Sequence, residues 1–248
     1  HPDDRERYFK MLTRLLEYGE NTGGEIRLIN RDGEAVWFAM HIISLMDSDG
    51  RKKRVVGRLT NIDAQKRKEE ILKFKSQIDV MTGLYNRAAT EVNITRSLEM
   101  CGSGCALLLA DMDNLKEIND SLGHAEGDEA IRRFAGVLKK YFSSCGDVIG
   151  RTGGDEFMVF FSRSAGSDSL ADILSRFFFE LNSIRVGGAA GCKLSVSVGV
   201  APCSETCKGF QRLYRMADAA LYRVKKARKN GYAFYDPAID NPMASNEY

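Results

Sequence analysis

Two short acidic segments carry the chemistry this chain is equipped to do. Residues 150–158 read Gly-Arg-Thr-Gly-Gly-Asp-Glu-Phe-Met, and residues 111–113 read Asp-Met-Asp. Apolar runs flank the first segment, Val148-Ile149 before and Phe157 to Phe161 after. Gly153-Gly154 therefore reads as a tight turn between two buried strands. Asp111-Met112-Asp113 closes a third apolar run, Cys105 to Ala110, which also reads as a buried strand. If these strands are neighbours, Asp111 and the Asp155-Glu156 pair converge at one sheet edge. Carboxylates held that close repel unless a cation neutralises them. Hard oxygen ligands in that number select Mg²⁺ or Mn²⁺. Such a cluster suits phosphoryl transfer, in which two ions about 3.5–4 Å apart clamp the attacking and leaving oxygens. A turn without Cβ atoms lets a bulky phosphorylated ligand approach the backbone. Taken alone, the tetrapeptide also reads as an ordinary Gly-Gly hairpin with solvated acids.

The elements that must hold these acids follow from hydrophobic periodicity. Between residues 81 and 236, strand patterns at Cys105 to Ala110, Val148 to Thr152, Glu156 to Phe161 and Lys193 to Val200 alternate with helical ones. Asp128 to Phe142 places Ile131, Phe134, Ala135, Leu138 and Phe142 on one face. Leu170 to Ile184 and Phe210 to Arg228 are further helices. The order β-α-β-β-α-β predicts an α+β, ferredoxin-like sheet with helices on one face. The strand ending in Asp111 then lies beside the second arm of the hairpin. Residues 1–63 open with a helical pattern through Tyr8, Phe9, Leu12, Leu15 and Leu16. Three strands follow, Glu25 to Asn30, Ala35 to Leu45 and Arg54 to Ile62, separated by turn signals. Residues 64–80 read as a charged linker helix. Ala64, Ile71 and Ile78 are seven apart, as are Phe74 and Met81, which fits a short heptad seam. Residues 237–248 read as a polar, frayed tail.

Composition narrows the function classes. In 248 residues, 36 Lys and Arg oppose 34 Asp and Glu, a net charge of +2. Nothing in that balance points to nucleic acid or a membrane surface. The basic run Arg51 to Arg54 follows Asp49-Gly50 and reads as a solvated turn. There is no long apolar run that would span a bilayer and no secretory signal. The first residue is His1 rather than Met, so the expectation is a cytoplasmic piece of a longer chain, with any membrane anchor upstream. Six cysteines include two C-x3-C pairs, Cys101/Cys105 and Cys203/Cys207. These read either as a four-thiolate metal site or as reduced, partly buried thiols. The first and last strands of a ferredoxin-like sheet are antiparallel neighbours, which leaves open whether the pairs meet.

Residues 79–235 resemble the GGDEF family of diguanylate cyclases. The resemblance rests on Asp79 to Arg87, with Tyr85 where Pro is usual, and on Asp111 to Asp120. Gly123 to Asp128, the signature Gly153 to Phe157, Ser195 to Val200 and Ala217 to Tyr222 follow in order. It implies a nucleotide-cyclase fold with a mixed or antiparallel sheet. It further implies that Asp111 and Glu156 ligand Mg²⁺ or Mn²⁺ with help from the Met112 carbonyl. Asp155 would complete the cluster, as a ligand or in deprotonating the attacking hydroxyl. Asn119 and Asp128 would read guanine, since a carboxylate accepts from its N1–H and 2-amino group. Lys116, Lys225 and Lys229 would hold phosphates, although Lys229 replaces a usual Arg and gives up a bidentate grip. Gly153 and Gly154 would leave room for the substrate. Leu115 stands for the usual Phe in what looks like a packing role, and His124 reads as structural. The family's inhibitory product site is degenerate here: Asp147 is present, but Ser144 stands in place of Arg. Weak or absent product inhibition is the expectation.

The activity implied is the condensation of two GTP into cyclic di-GMP and two pyrophosphates. One domain holds one GTP, so a homodimer is implied, joined through the linker helix and the N-terminal zone. That zone resembles the C-terminal part of a PAS sensor domain, through His1 to Arg5, Glu25 to Gly33, Trp37 and Asn61-Ile62-Asp63. Regulation by the PAS module follows as an expectation, with His41 a plain strand residue. The alternative is a catalytically silent, GGDEF-like receptor for GTP or cyclic di-GMP.

Overall fold

The computed structural model describes residues 1–46, 48–49, 52–100, 104–143, 147–162, 169–187, 191–204 and 209–240. The chain divides into two compact units, His1–Ser76 and Gln77–Tyr248.

In the first unit a single 3-10 turn, Pro2–Asp4, leads into α1 (Arg5–Tyr18), which Gly19 ends at φ 71°. Strands β1 (Thr22–Ile29), β2 (Ala35–Met46) and β3 (Lys52–Asn61) form an antiparallel meander in that order. Met11 and Leu15 of α1 pack on Ile26, Met40 and Ile42, with Tyr8 and Leu12 at the margin. Phe9 and Leu16, which share the helical pattern, are instead exposed. Arg27 is held by Asp4 at 2.8 Å and lies over the Trp37 ring, with Lys66 also above that ring.

Helix α2 (Asp63–Lys75) buries no residue, and Ile71 and Phe74 are exposed. It is shorter than the heptad count implies. Ile78 forms a bridge with Tyr85, and the Asn86 amide donates to the Gln77 carbonyl at 2.8 Å. Ser76 and Gln77 form a turn and Ile78 an isolated bridge, so Ile78 and Met81 lie outside the helix and only Ala64, Ile71 and Phe74 of the heptad positions lie within it.

The second unit contains α3 (Arg87–Met100), β4 (Ala106–Met112), α4 (Leu115–Leu122), α5 (His124–Phe142), β5 (Val148–Arg151), β6 (Glu156–Phe161), α6 (Leu170–Leu181), β7 (Arg185–Val186), β8 (Cys192–Lys193), β9 (Val196–Pro202), α7 (Phe210–Ala227), β10 (Gly231–Phe234) and α8 (Pro237–Asp240). The main sheet has the order β10-β9-β4-β6-β5, and β7 pairs with β8 separately. Strands β9, β4, β6 and β5 have the ferredoxin-like arrangement, and β10 adds a parallel edge beside β9.

Helices cover both faces of this sheet, not one. Every residue of β4 is buried, so neither face tolerates water. On one side Leu108, Ala110, Phe157 and Val159 pack against Phe134 of α5 and Phe177 of α6. On the other, Leu107, Leu109, Met158 and Phe160 meet Ile94 of α3 and Leu213 and Leu221 of α7. Leu115 is buried in the first layer, as a packing role requires. Residues 237–240 of the tail form a helix rather than a frayed end: Asp240 accepts from Arg223 Nη2 at 3.2 Å.

Candidate functional site

The acids converge because of strand parity. Opposite residues of an antiparallel pair point to the same face. Asp111 faces Glu156 on β6 and Ser197 on β9. It has the parity of Leu107 and Leu109, and Glu156 that of Met158 and Phe160, so both carboxylates extend the layer beneath α7. The Met112 amide donates to the Asp155 carbonyl at 3.0 Å, which draws the start of β6 against the end of β4.

The turn itself is closed by Thr152 and Gly153 amides donating to the Glu156 carbonyl, at 2.9 and 3.3 Å. A Cβ at Gly153 would lie 2.8 Å from Glu156 Oε2, so the missing side chain lets that carboxylate fold back over the turn. A Cβ at Gly154 would meet nothing within 4 Å.

Helix α7 delivers a cation to this cluster. Leu213, Ala217 and Leu221 are its buried stripe, and Lys225 is the next residue at the same spacing. Lys225 Nζ lies 2.7 Å from Asp111 Oδ2. Burial pushes the Asp111 carboxyl up; Lys225 draws it back, while Asp155 and Asp113 push it further, and the net shift is upward. One turn further, Lys229 donates to the Asn114 side-chain carbonyl at 2.8 Å. Lys225 of α7 and Lys229 in the link that follows it thus reach Asp111 at the end of β4 and Asn114 just after it.

Asn119 of α4 lies against Gly127 of α5, the residue before Asp128. A Cβ at Gly127 would lie 1.9 Å from Asn119 Oδ1, so the Asn119 amide occupies the space beside Asp128 that Gly127 leaves. Asp128 lies 4.0 Å from Arg132. Lys116 is exposed on the first turn of α4, and His124 is exposed at the start of α5. Ser144 lies outside the described residues. Asp147 accepts from the Ser162 amide at 2.7 Å.

Three features escaped the sequence reading. Asp113, only 5% exposed, accepts from Ser195 Oγ at 2.6 Å, Ser197 Oγ at 2.8 Å and the Asn230 amide at 3.0 Å. It anchors the link from α7 to β10, where Lys229 and Asn230 have φ of 54° and 45°. Arg151 donates to the Gly154 carbonyl at 2.8 Å and to Asp79 Oδ1 at 3.3 Å, so it clamps the turn to the start of the unit. Burial would raise the Asp79 carboxyl, but Thr82 and Arg151 outweigh it and hold the group below the ordinary range. Tyr214 and Asp218 line a small cavity with Thr152 and Glu156. Burial, then the charges of Glu156 and Asp218, push the Tyr214 phenol up. The signals were available: an arginine two residues before a Gly-Gly turn, and a serine at each alternate position opposite Asp113.

A ferredoxin-like sheet with acids at one edge, a Gly-Gly hairpin beside them and lysines arriving from the crossing helix define a domain of the nucleotide-cyclase class. Comparison with known proteins gives the family. The family profile described as "Diguanylate cyclase, GGDEF domain" matches residues 76–231, and one described as "PAS fold" matches residues 1–59. The chain belongs to the GGDEF family. It is 36% identical over 174 residues to the probable diguanylate cyclase DgcC of Escherichia coli (strain K12), covering 69% of this chain and 46% of that protein. It is 33% identical over 177 residues to the diguanylate cyclase DgcM of the same strain, covering 68% of this chain and 41% of that protein. The chain thus spans less than half the length of these two relatives. Among solved structures, the coiled coil and GGDEF domain of DgcB from Caulobacter crescentus, in complex with c-di-GMP, superposes with a TM-score of 0.62 at 27% identity. That match covers 70% of this chain and 93% of that one. Among the described residues no helix is long and apolar enough to cross a membrane.

Proposed function

We propose that this chain is a diguanylate cyclase that condenses two GTP into cyclic di-GMP and two pyrophosphates, as a homodimer regulated by its N-terminal PAS module. The observation that carries the reading is the register of Asp111 against Glu156, with Asp155 at its side and Lys225 bound to Asp111. A partly buried carboxylate of raised proton affinity that has captured an ammonium is a site that calls for a cation. No three acids among the described residues are already grouped around an ion position; Asp111, Glu156, Asp155 and the Met112 carbonyl would together supply an all-oxygen donor set, the kind that suits Mg²⁺ or Mn²⁺. Such an ion, when bound, neutralises phosphate charge and makes a hydroxyl easier to deprotonate.

The chain's own residues do the rest. Asn119 and Asp128 bind the guanine edge, as an amide and a carboxylate suit it. Lys225 exchanges Asp111 for a phosphate oxygen when substrate arrives, and Lys229 and Lys116 hold further oxygens. Gly153 and Gly154 admit the phosphates against the backbone. Asp155 takes the proton of the attacking 3′-hydroxyl or completes the acid cluster. Each 3′-oxygen forms a bond to the α-phosphorus of the facing GTP, and the bond from that phosphorus to pyrophosphate breaks. One site holds one GTP, so two chains must face each other. Exposed Ile71 and Phe74 on α2 support a seam that holds them at high effective concentration.

The test is incubation of the purified chain with GTP and Mg²⁺, with products separated by chromatography and identified by mass, beside Glu156→Ala. Cyclic di-GMP from the parent and none from the variant is the expected result. GTP binding without product, from a protein shown to be dimeric, would replace this reading with that of a silent receptor.

A further inference from the structure

The two C-x3-C pairs build no group of three metal-capable side chains among the described residues, outside which Cys101 and Cys207 lie. The chemistry that the proposed reaction leaves unused lies beside Glu156 instead. Tyr214 is half-buried on α7, one turn before Asp218. Residues four apart on a helix are neighbours, so the phenol and this carboxylate stand side by side. The Tyr214 ring packs against the apolar layer beneath α7, with the Phe210 ring 6.1 Å away. That packing needs the ring and not the hydroxyl. Tyr214, Asp218, Thr152 and Glu156 together border a niche of about 30 Å³, whose apolar walls include Leu109 and Leu221. Burial, then the charges of Glu156 and Asp218, hold the phenol above its ordinary range, so both acids lie near it and it keeps its proton.

Size and polarity decide what the niche suits. A single water needs about 10–15 Å³ of such space and two to four polar partners. A phenol donates, and ionised carboxylates only accept. A water that accepts from Tyr214 Oη and donates to Glu156 and Asp218 satisfies all three. It also keeps apart two negative charges that would repel in contact. The hairpin turn does not supply this restraint. Gly153 places no side chain against the Glu156 carboxylate, where a Cβ would lie 2.8 Å from Oε2. The carboxylate therefore has room to swing on the turn side, and α7 is the side from which it can be held.

We propose that Tyr214 is a positioning residue for the cyclase reaction, which holds the Glu156 carboxylate in place through one water bound in this niche, with Asp218 as the water's other acceptor. The inference rests on the cyclase reading and deepens it. Tyr214 acts through Glu156 and touches neither the substrate nor the reacting atoms. A hydrogen bond that orients a ligating carboxylate from behind is typically worth about 10–100-fold in metal affinity or activity. The ring anchors the hydroxyl in the apolar layer, so the water is held against a rigid support rather than a loop.

The experiment compares the parent with Tyr214→Phe, which keeps the ring and removes one oxygen. Mn²⁺ is titrated into the full chain with a non-hydrolysable GTP analogue, unbound ion is read by electron paramagnetic resonance, and Glu156→Gln gives the background. Tyr214→Phe should melt with the parent yet bind Mn²⁺ roughly tenfold more weakly. Its kcat should fall by a similar factor with KM for GTP little changed, because the nucleotide is gripped by other residues. Tyr222→Phe, at an exposed position of the same helix, should match the parent throughout. A crystal structure of the parent should show a water within hydrogen-bond reach of Tyr214 Oη and the Glu156 carboxylate. Unchanged Mn²⁺ affinity in Tyr214→Phe, while Glu156→Gln loses it, would overturn this inference and leave the cyclase reading standing. A raised KM with kcat unchanged would make Tyr214 a substrate contact and overturn it too, as would a niche without water. If Glu156→Gln binds Mn²⁺ as the parent does, the metal site itself is misplaced and both readings fall.

Discussion

Gly199 and Gly154 make opposite predictions, and the contrast tests how the fold positions the site. Gly199 lies in β9 directly beneath α7. A Cβ there would stand 2.0 Å from the Ala217 carbonyl oxygen and 2.4 Å from the Leu221 nitrogen. Both are helix backbone, so no side chain can swing aside. Relieving the clash to 3.0 Å requires α7 to move off the sheet by about 1 Å at the least. Overpacking of this kind costs about 1–3 kcal/mol, sometimes more. At about 3 kcal/mol, the melting temperature of a unit of this size falls by roughly 6–12 °C. Lys225 is one turn beyond Leu221 and rides with the helix, so its grip on Asp111 moves as well. A displacement of about 1 Å can cost a hundredfold in rate. Gly199→Ala should therefore lower both melting temperature and cyclic di-GMP synthesis. Gly154 is the control: a Cβ there meets open space, so Gly154→Ala should melt within about 0.5 kcal/mol of the parent. Its effect should fall on the Michaelis constant for GTP, because the added methyl occupies open space that the proposed function gives to substrate. Thermal unfolding followed by circular dichroism, with initial rates of product formation, measures both. If Gly199→Ala melts with the parent, α7 does not rest on β9 as described and the placement of Lys225 fails with it.

Asp113→Asn keeps the shape but turns an acceptor into a donor facing Ser195, Ser197 or the Asn230 amide. It should cost about 1–3 kcal/mol in urea unfolding, and an unchanged midpoint would show that the three hydrogen bonds do not hold the α7–β10 link. The hydrogen bonds from Arg27 hold the Asp4 carboxyl far below the ordinary value of 3.8. A depressed folded-state pKa stabilises the first unit above that value, and the contribution drains away as pH falls through the folded pKa. Melting of residues 1–76 should weaken on acidification below about pH 4, and Asp4→Asn should flatten that dependence; equal slopes in the two proteins would remove Asp4 as the cause. Product inhibition should be weak, since Ser144 cannot supply a guanidinium and Asp147 is engaged with the Ser162 amide. An inhibition constant in the low-micromolar range that Asp147→Ala abolishes would refute this.

Much of the fold was legible because its signals are local. The hairpin needed only Gly153-Gly154 between two apolar runs, and the acids at the end of β4 marked the edge where the candidate site lies. What escaped depends on partners distant in sequence. The heptad count ran on to Ile78 and Met81, but pairing of Ile78 with Tyr85 takes the chain out of the helix. Tyr85 also donates its amide to the Ile149 carbonyl at 3.2 Å, a bond that the usual Pro at this position could not make. Arg151 reads as a surface charge until Asp79 and the Gly154 carbonyl are seen around it. The second helical layer was missed for a different reason. A strand buried at all seven positions, Ala106–Met112, demands cover on both faces, whereas the β-α-β-β-α-β order accounts for the helices of one face only.

That alternation also explains why the site lies where it does. Leu107 and Leu109 on β4, and Met158 and Phe160 on β6, build the apolar layer beneath α7. Asp111 and Glu156 occupy the next positions of the same parity, where the sheet runs out from under its cover. The helix obeys its own period: Leu213, Ala217 and Leu221 are buried, and Lys225 is the residue that first clears the edge. A strand pair and a helix, each carried one step past the core, therefore bring two carboxylates and an ammonium together without a dedicated loop. The cluster is the polar end of a hydrophobic layer, so its geometry inherits the rigidity of that layer, and the close approach at Gly199 sets how far above the acids the lysine stands. By this argument substitutions in the layer, such as Leu109 or Leu221, should act on catalysis through position, while substitutions at Asn119 and Asp128, the half-buried pair proposed to read guanine, should act through binding alone.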